Sequence, residues 1–169
     1  MTGAWSVTKL TQGPTEGPTQ GPTGGPIEPL LELRFPAQAD RLKLVRGSIR
    51  AAARMCGFND TAAQNIVLAV DEACQNIIVH GYQGREDGEI VLRLARRRDG
   101  IQVSLVDSAP LVDPATITPR ALTDIRPGRL GSYFIREIMD SADYRPRPDG
   151  AGNLLEMFKR LDGTPWQAT

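Results

Sequence analysis

The chain has 169 residues with 20 basic and 20 acidic side chains, a balance without the net charge that steers proteins to nucleic acid or membrane surfaces. Two cysteines and one histidine are too few for a structural zinc cluster, and no run approaches the roughly 18 apolar residues of a membrane span. No basic stretch followed by an apolar one opens the chain, so it reads as cytoplasmic, with no signal peptide.

Residues 12–26 run Gln-Gly-Pro-Thr, Glu-Gly-Pro-Thr, Gln-Gly-Pro-Thr, Gly-Gly-Pro. The repeat holds no aliphatic or aromatic side chain to bury, and glycine and proline both oppose regular structure. Residues 1–28 are therefore expected to be a disordered tail, 29–162 one folded domain and 163–169 a short C-terminal tail. In the domain, Leu31, Leu33 and Phe35 alternate with Glu32 and Arg34, predicting a half-buried strand that Pro36 ends. Leu42, Val45, Ile49, Ala53 and Cys56 recur at helical spacing through residues 39–56. Asn59 or Asp60 then caps a second helix running to about His80.

That second helix carries two faces. Ile66, Val67, Val70, Cys74 and Ile77 form an apolar arc. Glu72, Asn76 and His80 recur at every fourth position, and a step of four advances only about 40° around a helix. An acid, an amide and an imidazole thus share one narrow stripe. The pattern fits the floor of a site, and it also fits a solvated helix face with His80 complementing the helix dipole.

Ile90, Leu92 and Leu94 alternate into Arg96-Arg97-Arg98, Asp99-Gly100 reads as a tight turn, and Ile101, Val103 and Leu105 alternate in the returning strand. The three arginines read as a solvated strand end. Asp107 closes that strand, where its carboxylate is suited to accept hydrogen bonds from a ligand amino group or simply to meet solvent. Pro110, Pro114, Pro119 and Pro127 make 111–127 a candidate lid or loop. Gly128-Arg129-Leu130-Gly131 opens an amphipathic helix through Tyr133, Phe134, Ile135, Ile138 and Met139. Free N–H groups at such a terminus favour anions, and Arg126 and Arg129 beside it are suited to pairing phosphate oxygens. Two last strands, 142–147 and 153–161, flank the Asp149-Gly150-Ala151-Gly152 turn. Short connections between these strands predict an α+β, two-layer domain, with a mostly antiparallel mixed sheet and helices on one face.

In this order the parts resemble the Bergerat-fold ATPases, the superfamily of gyrase, Hsp90, histidine kinases and MutL. Within it they resemble the small anti-sigma-factor serine/threonine kinases, over essentially all of residues 30 to 161. The stretches that carry the resemblance are Asp71-Glu72-Ala73-x-x-Asn76-x-x-x-His80-Gly81-Tyr82, then Gly128-x-Leu130-Gly131-x-x-x-Ile135-x-x-x-Met139-Asp140, then Gly152-Asn153 and Lys159-Arg160-Leu161. The resemblance implies ATP and Mg²⁺ as cofactors. Asn76 would offer its amide oxygen to Mg²⁺, Glu72 would act as base toward a serine or threonine hydroxyl of a partner, and Asp107 would accept the adenine amino group. Residues Gly128 to Gly131 would cradle the phosphates. It further implies two partners, a sigma factor and a STAS-type anti-sigma-factor antagonist, and a homodimer, with neither nucleic acid nor membrane bound directly. Two positions depart from the family pattern: Ala109 and Arg129 stand where glycines are usual. They motivate an alternative, a nucleotide-weak or kinase-inactive Bergerat-fold switch.

Overall fold

The computed structural model of the chain describes residues 26–85, 87–111 and 131–161. In chain order these form β1 (Glu28–Pro36), a short 3-10 turn at Ala39–Arg41, α1 (Leu42–Met55), α2 (Asp60–Asn76), a π-helical turn (Ile77–Gly81), β2 (Glu89–Arg97), β3 (Gly100–Asp107), α3 (Gly131–Ile138), β4 (Ser141–Pro146) and β5 (Asn153–Arg160). The strands make one sheet in the order β1-β2-β3-β5-β4. All four pairings are antiparallel, so among the described residues the expected mixed sheet has no parallel pair.

The alternation read from the sequence sets the two faces. Ile90, Leu92 and Leu94 on β2, Ile101, Val103 and Leu105 on β3, and Leu155 and Met157 on β5 are buried toward the helices. They meet Leu42, Val45 and Ile49 of α1 and Ile66, Val67, Val70 and Cys74 of α2 in one continuous core. Each large aliphatic side chain so buried contributes about 1.5–3 kcal/mol. Asn59 caps α2, accepting a hydrogen bond from the Ala62 N–H at 2.8 Å. The helix layer lies on one face, which leaves α2 running toward the end of the sheet where β3 finishes.

Three details differ from what the sequence predicts. β1 begins at Glu28, so the boundary of the predicted tail falls inside a strand that pairs with Arg96. The β2–β3 turn is Arg98-Asp99 rather than Asp99-Gly100, because Gly100 already pairs with Arg97. Gly100 serves close packing: a methyl group there would overlap the Lys159 carbonyl of β5. Arg97 is not solvated. It is 6 % exposed, donates to Gln102 Oε1 at 3.0 Å and lies over the Phe158 ring at 5.6 Å. The predicted tail up to residue 25, the lid beyond Leu111, Arg126, Gly128, Arg129, Leu130 and the C-terminal tail all lie outside the described residues.

Candidate functional site

Asp71 and Glu72 are neighbours on α2 with opposite fates. Asp71 accepts from Arg46 Nη1 at 2.9 Å and from Gln75 Nε2 at 3.0 Å, so its carboxylate ties α2 to α1. Glu72 and, one turn on, Asn76 are partly buried, and among the described residues neither side chain has a hydrogen bond or an ion pair. One acidic group is spent on packing the helices. The other, with the amide below it, is left available.

The stripe does not continue as an ideal helix would carry it. Beyond Asn76 the backbone widens into the π-helical turn, in which the Tyr82 N–H donates to the Ile77 carbonyl at 2.9 Å, five residues back. Such turns break the four-residue spacing and are frequent at functional positions. His80 lies within that turn and is exposed. The same widening brings Gly81 and Tyr82 against the end of β3.

There the structure is tightly joined. Asp107 is 3 % exposed, lies on the inner face of the sheet, and its Oδ1 accepts from the Ala109 N–H at 2.9 Å and from Asn153 Nδ2 at 2.9 Å. Asn153 is its register partner on β5, is itself 1 % exposed, and also reaches the Ala109 and Pro110 carbonyls. Both bonds to Asp107 fall on Oδ1, so among the described residues no donor takes Oδ2. Burial pushes the Asp107 carboxyl above the usual carboxylate range, while Asn153, the Ala109 N–H and the charge of Arg147 pull it back. Gly152 has φ +135°, and a methyl group there would overlap the Asp107 carbonyl, so only glycine lets β5 enter so close to the site.

Ala109, which departs from the usual glycine, is 3 % exposed, and its methyl faces the helix end: a Cβ added to Gly81 would lie 3.1 Å from Ala109 Cβ. Gly81 makes the room that Ala109 fills. Tyr82 is 2 % exposed; its hydroxyl donates to the Glu89 carbonyl at 2.7 Å and accepts from the Ser108 N–H at 2.9 Å. On the opposite side, Arg147 Nη1 donates to Ser108 Oγ at 3.2 Å. Gly131, the last of the predicted phosphate-binding glycines, is the first residue of α3. The sequence singles out Asp107 and Ala109, which lie by the end of the turn after α2, and Glu72 and Asn76, which lie on α2 itself. It assigns no role to Asn153 or Tyr82, though both stand in the quoted motifs, and it passes over Arg147, which no motif marks.

A Mg²⁺ ion fits the donor set on α2. The ion keeps several waters and needs few protein oxygens, which suits a single unengaged amide beside a carboxylate better than a closed cage. Among the described residues no group of three or more His, Cys, Asp or Glu side chains could hold a metal by itself.

The fold is that of a Bergerat-type domain, and the chain belongs to the histidine kinase-like ATPase domain family, which it matches over residues 35–159. Within that family it goes with the RsbW kinases. It is 30% identical over 118 residues to serine-protein kinase RsbW of Listeria monocytogenes serovar 1/2a (strain EGD-e), spanning 65% of this chain and 75% of that one. It is 26% identical over 141 residues to serine-protein kinase RsbW of Bacillus subtilis (strain 168), spanning 79% and 86%. Among solved structures it is similar in fold to the RsbU and RsbW domains of Rv1364c from Mycobacterium tuberculosis, with a TM-score of 0.55 and 17% identity. That likeness covers 82% of this chain, which spans only 32% of the other.

Proposed function

We propose that the protein is an ATP-dependent serine/threonine protein kinase and anti-sigma factor acting by partner switching. It binds a sigma factor, and it phosphorylates a serine or threonine of a STAS-type antagonist that would otherwise release that sigma factor. The observation that carries this reading is the contrast on α2: Asp71 is fully engaged, whereas Glu72 and Asn76 are unengaged among the described residues and lie on the helix that leads to Asp107. Membership of the ATPase family and the serine-protein kinase relatives support it.

In this reading the Oδ2 atom of Asp107 accepts the adenine amino group, and Asn153 and the Ala109 N–H hold the carboxylate in the plane needed to do so. Asn76 directs its amide oxygen at the Mg²⁺ that accompanies the triphosphate. Glu72, a turn earlier, orients the acceptor hydroxyl and takes its proton as the oxygen attacks the terminal phosphoryl group. Arg126 and the segment from Gly128 through Arg129 and Leu130 to Gly131 receive the phosphates, under a lid formed by 111–127. β1, outermost among the described strands on its side of the sheet, offers an edge for homodimer formation. Among the described residues no helix is long and apolar enough to cross a membrane.

The kinase-inactive alternative rested on Ala109 and Arg129. The Ala109 methyl lies toward Gly81, an observation that favours the kinase over that half of the alternative. The direct test is transfer of label from γ-labelled ATP to a purified STAS-type antagonist. Label on a serine or threonine that disappears with Glu72→Ala supports the kinase; no transfer to any such antagonist by a protein that binds Mg-ATP contradicts it.

A further inference from the structure

The motif that ends in His80-Gly81-Tyr82 holds a residue for which phosphotransfer has no direct use. Tyr82 is buried at the far end of the π-helical turn, and its ring packs so closely on Gly88 that a methyl group there would come within 2.6 Å of it. Its hydroxyl is fully used, with one bond to the Glu89 carbonyl at the start of β2 and one from the Ser108 N–H. Burial raises the phenol above its usual range, so it stays protonated and keeps the donor it spends on Glu89. Ser108 sits between Asp107 and Ala109, whose N–H helps to hold the Asp107 carboxylate. Fixing its N–H fixes the peptide that follows Asp107. Arg147 reaches the Ser108 hydroxyl from the β4–β5 side, over a longer and more exposed bond.

We propose that Tyr82 is a positioning residue for base recognition: by holding the Ser108 N–H it sets the direction of Asp107 and so the preference for adenine over guanine. This rests on the nucleotide reading given above. Tyr82 does not touch the nucleotide. It acts through the peptide, joining the end of the helix that carries Glu72 and Asn76 to the residue that reads the base. An adenine amino group donates to a carboxylate, whereas guanine presents an acceptor at the corresponding position. A carboxylate held in one direction discriminates between them, and one that swings accepts alternative poses.

The test uses the full chain and Tyr82→Phe, which keeps the ring and deletes the hydroxyl. Dissociation constants for Mg-ATP and Mg-GTP are measured for both, with amide exchange at Ser108 followed by NMR. Loss of one hydrogen bond to the loop is expected to weaken ATP about three- to tenfold while leaving GTP nearly unchanged, so the ATP/GTP ratio narrows by that factor. Exchange at Ser108 should accelerate at least about tenfold. An unchanged ratio overturns the proposal, even if the melting temperature falls, because a merely structural tyrosine would lower stability without altering base preference. Should Tyr82→Phe fail to fold, Ser108→Pro deletes the same N–H from the other side, and an unchanged ratio there overturns the proposal equally. Wild-type protein that binds no ATP overturns the nucleotide reading and this proposal together; a wild-type preference for ATP that survives both substitutions overturns this proposal alone.

Discussion

At the sheet end of the site, Asp107 is 3 % exposed and Oδ1 already receives two hydrogen bonds; on α2, Glu72 and Asn76 are only partly buried and receive none among the described residues. In the proposed function the difference follows from what each end would meet. A base is rigid and flat, so its reader gains from a direction fixed in advance by Asn153, the Ala109 N–H and the Tyr82–Ser108 bond. A metal-bound triphosphate and an incoming hydroxyl bring their own waters and charges, so side chains that serve them must be left without partners. The fixed end carries a cost. A buried carboxylate is held above its ordinary pKa, and that penalty falls on the folded state.

The largest effect should come from the open end. Glu72→Ala is expected to lower phosphotransfer to the antagonist by about 10²–10⁴-fold, the usual contribution of a positioned base, with Mg-ATP affinity nearly intact. A variant that still transfers phosphate at the wild-type rate would break the comparison at its open end.

Asp107→Asn addresses the closed end, and it separates binding from stability. It should weaken ATP about 10- to 100-fold, the loss of a hydrogen bond to a charged acceptor. It should also raise the melting temperature of the unliganded protein at neutral pH, because the amide still accepts from Asn153 and Ala109 but carries no buried charge. The pH dependence follows from the raised pKa. As pH climbs from about 4, the unfolded Asp loses its proton before the folded one does, so stability falls until the folded carboxyl has ionised, and stays lower above that. The gap in melting temperature between the Asp107→Asn variant and the wild type should therefore widen over this interval. A constant gap would mean that Asp107 is not desolvated.

Asn76→Ala should cost about tenfold in ATP affinity with Mg²⁺ present and little without it, measured by calorimetry. Equal losses in both conditions would place Asn76 against the nucleotide itself. The smallest effect concerns the Gly81–Ala109 contact. Gly81→Ala should lower stability by about 1 kcal/mol or somewhat more through overpacking, and Ala109→Gly in the same chain should restore most of it. Ala109→Gly alone should not tighten ATP, since the methyl it removes faces Gly81.

Much of this site was legible because its signals are periodic. Strand alternation put Asp107 at the end of a buried strand, and the four-residue spacing put Glu72 and Asn76 on one side of α2. No residue pattern announces that the bonding changes from i→i+4 to i→i+5 after Asn76, in the turn that carries His80. Asn153 and Arg147 belong to the β4–β5 hairpin, far along the chain, and only the register Asp107↔Asn153 brings them to the site. Arg97 was read as solvent-facing because a run of arginines looks like a strand end. Its packing on Phe158 depends on the pairing of β5 with β3, which the sequence around Arg97 does not reveal.

The decisive measurement is a calorimetric titration of the full chain with ATP, with and without Mg²⁺, in the wild type and in the Asn76→Ala and Asp107→Asn variants. One site joined by both ends predicts micromolar binding that needs magnesium, with the Mg²⁺ dependence lost in the first variant and affinity lost in the second. No binding by the wild type at millimolar nucleotide, or binding indifferent to both substitutions, would contradict it.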